Sequence, residues 1–329
     1  MTAGVEHWSS AAFREEAAAW VRRVCAQHGI ELTGESEQPH CRPWSSAIRF
    51  ESTTGPVWFK VNGPGTQHEP MLVDVLGRLV PELVAEILAT DGTRAWSLAR
   101  DAGPVMRSTA EPDQLWDSWA AILQRYAQAQ IQLTRHVPEL LATGTPEVSP
   151  ATLPGLAADL VKELSEVGPA DGGLSDQEAV DLTAKLPELA SWCEDLAGSG
   201  IPSTIQHDDL HSSNICWGGS AVSARIIDWG DASIGHPLGT MLCTLNSIGH
   251  HAGLEADDAR VLRVRDAYLE PFTSYADRAD LVRYVALARS VGCVGRALSY
   301  RGALMGEPLS THEELDFPVR GWLLEMLES

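Results

Sequence analysis

Three polar side chains in the C-terminal half of the chain, His207, Asp209 and Asn214, follow the order His-x-Asp-x-x-x-x-Asn. A further carboxylate, Asp228, comes at the end of a short apolar run. Phosphoryl transfer to a hydroxyl needs a carboxylate that orients and deprotonates the hydroxyl, and it needs an amide oxygen and a second carboxylate that bind magnesium. The segment offers one candidate for each role, so phosphoryl transfer is the chemistry that it predicts.

The elements around these side chains would turn them toward one cleft. Short strand-like runs lie at residues 203–205 and 214–217, on either side of the loop. Gly-Gly-Ser at 218–220 is typical of a turn, and residues 222–227 form the next apolar run. We therefore predict a strand, a loop and a hairpin that ends at Asp228. A lone His-x-Asp is more often a solvated turn, but here several positions agree with their local context.

The N-terminal part of the chain supplies a lysine, Lys60, within the apolar run at residues 57–61. A buried ammonium without a partner is costly, so Lys60 needs an anion such as nucleotide phosphates or a carboxylate. Glu69 begins a pattern of apolar residues at helical spacing and is the candidate carboxylate. Glu82 and Glu86 compete with it for this role, and Lys60 could instead extend to water at a strand edge.

The motifs at residues 207–214 and 228–230 resemble those of the aminoglycoside phosphotransferase family, small-molecule kinases similar in fold to protein kinases. The resemblance implies that Asp209 is the catalytic base and that Asn214 and Asp228 bind Mg²⁺. It implies ATP or GTP as the phosphoryl donor and a small molecule with a hydroxyl as the acceptor.

The resemblance also implies that His207 braces the loop and that Lys60 and Glu69 form the ion pair that positions the nucleotide. The usual loop of the family reads His-Gly-Asp, whereas Asp208 replaces the glycine here. Two carboxylates are therefore adjacent, and only Asp209 has the spacing expected of the base.

Further residues have weaker signals. Asp208 could contact a substrate amine or hydroxyl, and Asp231 could join the substrate or ion site or could cap the following turn. Residues 40–46 stand where a protein kinase has its glycine-rich loop, and their lack of glycine argues against a protein kinase. Ser45 and Ser46 could offer hydroxyls or amides to phosphates, or they could belong to a simple turn between strands.

Composition limits the classes of partner. The chain has 24 Lys and Arg against 45 Asp and Glu, a net charge of -21, so we expect no nucleic-acid partner. The acidity could steer a cationic substrate or could serve solubility. No long apolar run or signal-like N-terminus appears, and the six cysteines form no Cys-x-x-Cys, so we expect a cytoplasmic protein with reduced thiols and no membrane contact.

We expect an α+β, bilobal, protein-kinase-like fold. Residues 1–100 would form a small mixed lobe that positions the nucleotide, and residues 101–329 a larger, mostly helical lobe with the catalytic hairpin and the acceptor pocket. The hinge is expected at 99–104. Strands are predicted at 48–50, 57–61, 85–88 and 95–98, and helices at 10–28, 69–80, 113–135, 154–164, 176–196, 238–250, 256–275, 279–300 and 313–327.

The sequence thus predicts a nucleoside-triphosphate-dependent O-phosphotransferase, a monomer or homodimer. By resemblance, the first candidate acceptor is an antibiotic, either an aminoglycoside or another sugar-bearing or nucleoside antibiotic, whose modification would confer resistance. The alternatives are a metabolic kinase for an amino alcohol, sugar or amino sugar, and a catalytically silent kinase-like binding protein. Arg296, Tyr300 and Arg301 stand where the C-terminal helices of this family often line the acceptor pocket, although nothing in their own pattern requires it.

Overall fold

The computed structural model describes residues 3–109, 115–305, 307–309 and 318–328. It consists of two lobes, which confirms the α+β arrangement. The first lobe contains α1 (Ala3–Ser9), α2 (Ala11–Gln27), β1 (Leu32–Cys41), β2 (Ser45–Ser52), β3 (Val57–Asn62), α3 (Glu69–Leu79), β4 (Ile87–Asp91) and β5 (Trp96–Arg100).

The five strands of the first lobe form one antiparallel sheet in the order β1-β2-β3-β5-β4. Side chains of β3 alternate between its two faces, as in any strand. Phe59 therefore points into an aromatic cluster beneath α2, where its ring centroid lies 5.1 Å from that of Trp96 and 5.9 Å from that of Trp20. The side chain of Lys60, the next residue of β3, points to the opposite face of the sheet, which faces the cleft.

The second lobe is mostly helical and begins after residues 101–104. Its helices pack around one large apolar core, to which α5 and α11 contribute many of the fully buried side chains. The helices are α4 (Met106–Thr109), α5 (Leu115–Leu133), α6 (Val137–Leu141), α7 (Leu153–Ser165), α8 (Asp176–Ala197), α9 (Met241–Ala252), α10 (Ala259–Leu269), α11 (Arg278–Ala303) and α12 (Pro318–Glu325).

Short strands of the second lobe hold the loop that carries the candidate site. They are β6 (Glu147–Val148), β7 (Thr204–Gln206), β8 (Ile215–Cys216), β9 (Arg225–Ile226) and β10 (Ser233–Gly235). β10 lies between β6 and β7, while β8 and β9 form a hairpin. The hairpin also contacts the first lobe, because the backbone N–H of Ile226 donates to the carbonyl of Leu83 at 2.7 Å.

Some predicted boundaries are wrong. The helix predicted at 256–275 stops at Leu269 and continues as a 3₁₀ turn at Glu270–Ser274, because Pro271 lacks an N–H and disfavours further α-helix. The strand predicted at 222–227 is reduced to β9, since residues 221–223 form a turn.

β1 was missed altogether, because an exposed edge strand rich in polar residues shows no clear alternation. Residues 40–46, considered as a turn, include the ends of β1 and β2, and the turn itself is confined to residues 42–44. The predicted helices at 113–135 and 313–327 each begin outside the described residues, and their described parts are α5 and α12. None of the helices within the described ranges is long and apolar enough to cross a membrane.

Candidate active site

Lys60 connects the two lobes through a pair of carboxylates. Its Nζ lies 2.6 Å from Oε2 of Glu69, at the start of α3, and 2.5 Å from Oδ1 of Asp228, which follows β9. The backbone N–H of Trp229 donates to Oε1 of Glu69 at 2.9 Å, so both oxygens of this carboxylate are engaged. Glu82 and Glu86 do not take part in this cluster.

The electrostatics of the cluster follow from burial and charge pairing. Burial alone would lower the pKa of Lys60, but the carboxylates of Asp228 and Glu69 outweigh it and hold that pKa above its usual value. Burial raises the pKa of Glu69, and the charge of Lys60 partly offsets this rise. Lys60 is therefore a permanent cation at the floor of the cleft.

His207 is fully buried and organises the loop between β7 and β8. Its Nε2 lies 2.9 Å from the carbonyl oxygen of Ile227, which can only accept, so Nε2 carries the proton. Its backbone N–H donates to the hydroxyl of Tyr126 at 2.9 Å, and its ring centroid lies 4.8 Å from that of Trp229. Burial lowers the pKa of His207, which favours the neutral imidazole. The residue has the contacts of a structural brace.

Asp209 opens onto the cleft between three neighbours. Its Oδ1 lies 3.3 Å from Nη2 of Arg296, on α11, and its Oδ2 lies 3.4 Å from Nε2 of His211. The amide of Asn214 donates to the backbone carbonyl of Asp209 at 2.9 Å. Burial would raise the pKa of Asp209, but the Arg296 guanidinium and His211 hold it below its usual value. Asp209 is thus an ionised, oriented carboxylate.

Asn214 and Asp228 have the donor atoms that a magnesium ion prefers. Because the Nδ2 of Asn214 faces Asp209, its Oδ1 is turned the other way, and within the described residues no hydrogen bond uses that oxygen. Both residues line the same cavity as Lys60. The pair therefore fits a cation that arrives with a triphosphate.

The two candidate substrate residues differ in position. Asp231 lines the cleft, where its Oδ2 lies 3.5 Å from Nη1 of Arg296 and its Oδ1 accepts from the hydroxyl of Ser299. Asp208 instead has a left-handed backbone, with φ of 60°, and its carboxylate accepts from the hydroxyl of Ser233 behind the loop. Burial raises the pKa of Asp208 to about 6. The structure thus places Asp208 away from the cavity that Asp209 lines.

Two adjoining cavities of about 320 Å³ each meet at Lys60 and Asp228. The first is polar and extends to Asp209, Asp231 and Arg296. The second is an apolar slot between the lobes that reaches residues 100–103. Its apolar walls are formed by Ala47, Val73, Val84, Ile87, Ala99, Val105 and Ile226.

At residues 100–103 the apolar slot ends at backbone groups of the segment that joins the two lobes. Within the described part of the chain, neither the N–H nor the carbonyl of Ala102 makes a backbone hydrogen bond. An apolar slot that ends at a free backbone donor and acceptor can hold a flat nucleotide base, and it opens toward Lys60, where the phosphates would lie.

Sequence reasoning missed part of the polar cavity. His40, Arg42 and His211 all line it. Arg296 and Tyr300, which only the family resemblance had indicated, also line it, whereas Arg301 lies outside its lining and pairs with Glu163. Ser46 is fully buried and its hydroxyl bonds to the carbonyl of His40, so it does not face the cavity, whereas Ser45 does.

The sequence profile of the phosphotransferase enzyme family matches residues 70–276. The chain belongs to this family. It is accordingly a phosphotransferase that acts on hydroxyl groups, in agreement with the expected resemblance. No curated protein matches the chain in sequence.

Solved structures share the fold at low sequence identity. Choline kinase from Streptococcus pneumoniae has a TM-score of 0.61 and 14% identity, over 95% of this chain and 99% of that one. A macrolide 2'-phosphotransferase from Brachybacterium faecium has a TM-score of 0.55 and 16% identity, over 88% and 93%. Spectinomycin phosphotransferase, solved with ADP and spectinomycin, has a TM-score of 0.51 and 14% identity, over 95% and 96%. These similarities show a kinase-like fold.

Proposed function

We propose that this phosphotransferase moves the γ-phosphoryl group of ATP or GTP to a hydroxyl of a small molecule in the polar cavity. The proposal rests on one observation: Lys60 and Asp228 form an ion pair across the cleft. This pair lies where the apolar slot, hereafter the base slot because it would hold the nucleotide base, adjoins the cavity that Asp209 lines. In this assignment the nucleotide base occupies the slot and the phosphates lie beside Lys60. Residues 1–100 would then position the nucleotide, and residues 101–329 would supply the catalytic base, Asp209, and the acceptor pocket.

Asp209 acts as the base in this proposal. The acceptor hydroxyl donates its hydrogen bond to Asp209, and its oxygen forms a bond to the γ-phosphorus as the bond to the β,γ-bridging oxygen breaks. The proton passes to Asp209, and the nucleoside diphosphate leaves with the electron pair. Mg²⁺ bound to Asn214 and Asp228 would neutralise charge on the phosphates. Positioning and electrostatics supply most of the rate enhancement, because this reaction needs little covalent help.

Acceptors of two kinds fit this chemistry. An antibiotic is supported by the fold shared with macrolide and spectinomycin phosphotransferases, and its modification would confer resistance. A metabolic acceptor, such as an amino alcohol, sugar or amino sugar, is supported by the fold shared with choline kinase. Expression of the chain in a drug-sensitive host separates the two: a raised inhibitory concentration supports the antibiotic, and unchanged sensitivity to every drug that the enzyme phosphorylates in vitro counts against it.

The test is a screen for ADP formation over antibiotics, sugars and amino alcohols, with mass detection of a phosphate added to the acceptor. Asp209→Ala should abolish transfer and leave nucleotide binding largely intact, because Asp209 lies outside the base slot. The matched control is Asp257→Ala, at an exposed carboxylate. Near-normal turnover by the Asp209→Ala enzyme would show that Asp209 is not the catalytic base. No ADP formation with any acceptor, together with no magnesium-dependent stabilisation by ATP, would favour a silent kinase-like binding protein.

A further inference from the structure

His211 belongs to the loop between β7 and β8 but not to the motif of that loop. It stands two residues after Asp209 and three before Asn214. Its side chain is 28% exposed and lines the polar cavity. Its Nε2 lies 3.4 Å from Oδ2 of Asp209 and 3.4 Å from Nδ2 of Asn214. The ring therefore lies between the proposed base and a proposed magnesium ligand, where the acceptor oxygen and the γ-phosphoryl group would meet.

The backbone fixes which ring nitrogen of His211 carries the proton. The N–H of Ser213 donates to Nδ1 of His211 at 3.2 Å. A backbone N–H can only donate, so Nδ1 is the acceptor and the proton of the neutral ring is on Nε2. The Nδ2 of Asn214 carries hydrogens of its own and cannot accept from Nε2. His211 therefore presents one N–H group beside Asp209, on the wall of the cavity.

Asp209 holds this N–H group only weakly. The separation of 3.4 Å between Nε2 and Oδ2 is longer than the roughly 2.7–3.2 Å of a good N–H···O hydrogen bond. The other oxygen of Asp209 has its own partner, because Oδ1 lies 3.3 Å from Nη2 of Arg296. Asp209 can therefore keep its orientation if the N–H of His211 turns to an oxygen of a ligand.

The other side-chain nitrogens of this wall are engaged. Among the described residues of the second lobe that line the cavity, His211, Asn214 and Arg296 have nitrogen donors in their side chains. The amide of Asn214 donates to the carbonyl of Asp209 at 2.9 Å. The guanidinium of Arg296 pairs with Asp209 and Asp231. Of these donors, the N–H of His211 has the least to lose by binding a ligand.

We propose that His211 is a further catalytic residue, whose Nε2–H donates a hydrogen bond to an oxygen of the phosphoryl group during its transfer to the acceptor. Nε2 keeps its proton throughout, and the bonds made and broken are those of the proposed transfer. The inference rests on the proposed function and adds a donor to the residues of the motif. Negative charge on the transferring group is spread over its equatorial oxygens, and a fixed donor that faces them stabilises the transition state.

Two substitutions distinguish the two ring nitrogens. In His211→Asn the amide oxygen can accept from the N–H of Ser213, as in an Asx turn, but no donor reaches the position of Nε2. In His211→Gln the longer side chain brings an amide N–H near that position. We expect kcat to fall on the order of 100-fold in His211→Asn and to stay within about 10-fold of wild type in His211→Gln. The KM for the nucleotide should change less than about 3-fold in both, because the contact forms in the transition state.

A purely structural role predicts the opposite order. If the contact with Ser213 is what matters, His211→Asn keeps activity and His211→Gln loses it, and that result would overturn the inference. His211→Ser, whose hydroxyl can also accept from Ser213, replaces the asparagine variant if that variant does not fold. His136→Asn is the matched control and should leave kcat unchanged, because His136 is 29% exposed and lines neither cavity.

Magnesium ADP with aluminium fluoride, a mimic of the transferring phosphoryl group, tests the contact without turnover. In calorimetry, His211→Asn should weaken binding of this complex on the order of 100-fold and leave binding of magnesium ADP alone unchanged. The same loss is expected in the Asp209→Asn background, because His211 acts on the phosphoryl group and not through the base. A loss confined to proteins that retain Asp209, or no loss at all, would overturn the inference and leave the proposed function intact.

Failure of the proposed function gives a different result. In that case the wild-type protein itself would bind magnesium ADP no more tightly with aluminium fluoride than without it, and it would form no ADP with any acceptor of the screen. This outcome would overturn the proposed function and the role of His211 together.

Discussion

A close backbone approach between the two lobes, on the acceptor side of the cleft, leaves no room for an added methyl group. Gly65 lies in the 3₁₀ turn Pro64–Thr66, between β3 and α3, and faces Gly302 on α11. A Cβ at position 65 would lie 1.7 Å from the carbonyl oxygen of Gly302 and 2.2 Å from its carbonyl carbon. Gly65→Ala therefore cannot be accommodated unless the turn and the helix move apart.

The size of the movement follows from contact distances. An ordinary Cβ contact is 3.4–4 Å, so the two backbones must separate by roughly 2 Å. The turn belongs to the lobe that carries Lys60, and α11 carries Arg296, so the separation widens the cavity in which transfer is proposed to occur. Misplacement of reacting groups by about 1 Å can cost about 100-fold in rate. We expect Gly65→Ala to lower kcat by on the order of 100-fold and the free energy of unfolding by about 1–3 kcal/mol.

Steady-state kinetics and urea unfolding measure the two effects. The KM for ATP should change less than kcat, because no described residue of the turn or of α11 lines the base slot. Gly302→Ala is the matched control: its Cβ would lie 3.7 Å from the oxygen of Gly65, an ordinary contact, so activity should be preserved. Gly295→Ala, with no atom within 4 Å, controls for the gain in helix propensity. A Gly65→Ala enzyme with wild-type kcat would show that closure at this contact is not needed for transfer.

Three further predictions concern the charged groups. Lys60→Met should cost about 3–5 kcal/mol of unfolding free energy in urea, because it leaves Glu69 and Asp228 unpaired; Lys60→Met with Glu69→Gln should recover part of this loss, and equal instability of both variants would contradict the pairing argument. Asn214→Ala should raise the Mg²⁺ concentration for half-maximal activity about 10-fold or more, and an unchanged magnesium titration would exclude Asn214 as a ligand. Asp208 has a pKa of about 6 against an ordinary value of 3.8, so between these values the folded state holds a proton that the unfolded state releases, and unfolding free energy falls as the pH rises through this window. The Asp208→Asn variant has no proton to lose at this position. In urea unfolding it should therefore be as stable as the wild-type protein at pH 4 and more stable by about 1–3 kcal/mol at pH 7. A difference in stability that does not change with pH would refute the titration of Asp208.

Local patterns were sufficient for much of the fold and for the core of the site. The spacing of His207, Asp209, Asn214 and Asp228 reflects one short segment in which strand, loop and hairpin follow directly along the chain. Lys60 was recognisable because a lysine within an apolar run needs an anionic partner. Amphipathic periodicity similarly identified the long helices, since each must bury one face. β1 escaped because an exposed edge strand is not required to alternate.

Contacts between distant segments depended on tertiary packing. Glu69 was favoured over Glu82 and Glu86 by the sequence, but only the folded chain places its carboxylate against Lys60 and the backbone of Trp229. Asp208 lies outside the cavity and accepts a hydrogen bond from Ser233 on β10, a contact with a separate segment that the sequence alone does not reveal.

The amino-acid sequence by itself determined the class of chemistry, because the candidate catalytic and magnesium-binding residues lie on one short segment and their spacing is therefore local. The position of Arg296 beside Asp209 was decided only by the tertiary structure. It depends on how α11 packs against the catalytic loop, and the apolar pattern of a helix specifies which face is buried but not which side chain of another element it meets. The charged surroundings of Asp209 consequently depend on the packing of the second lobe rather than on the motif.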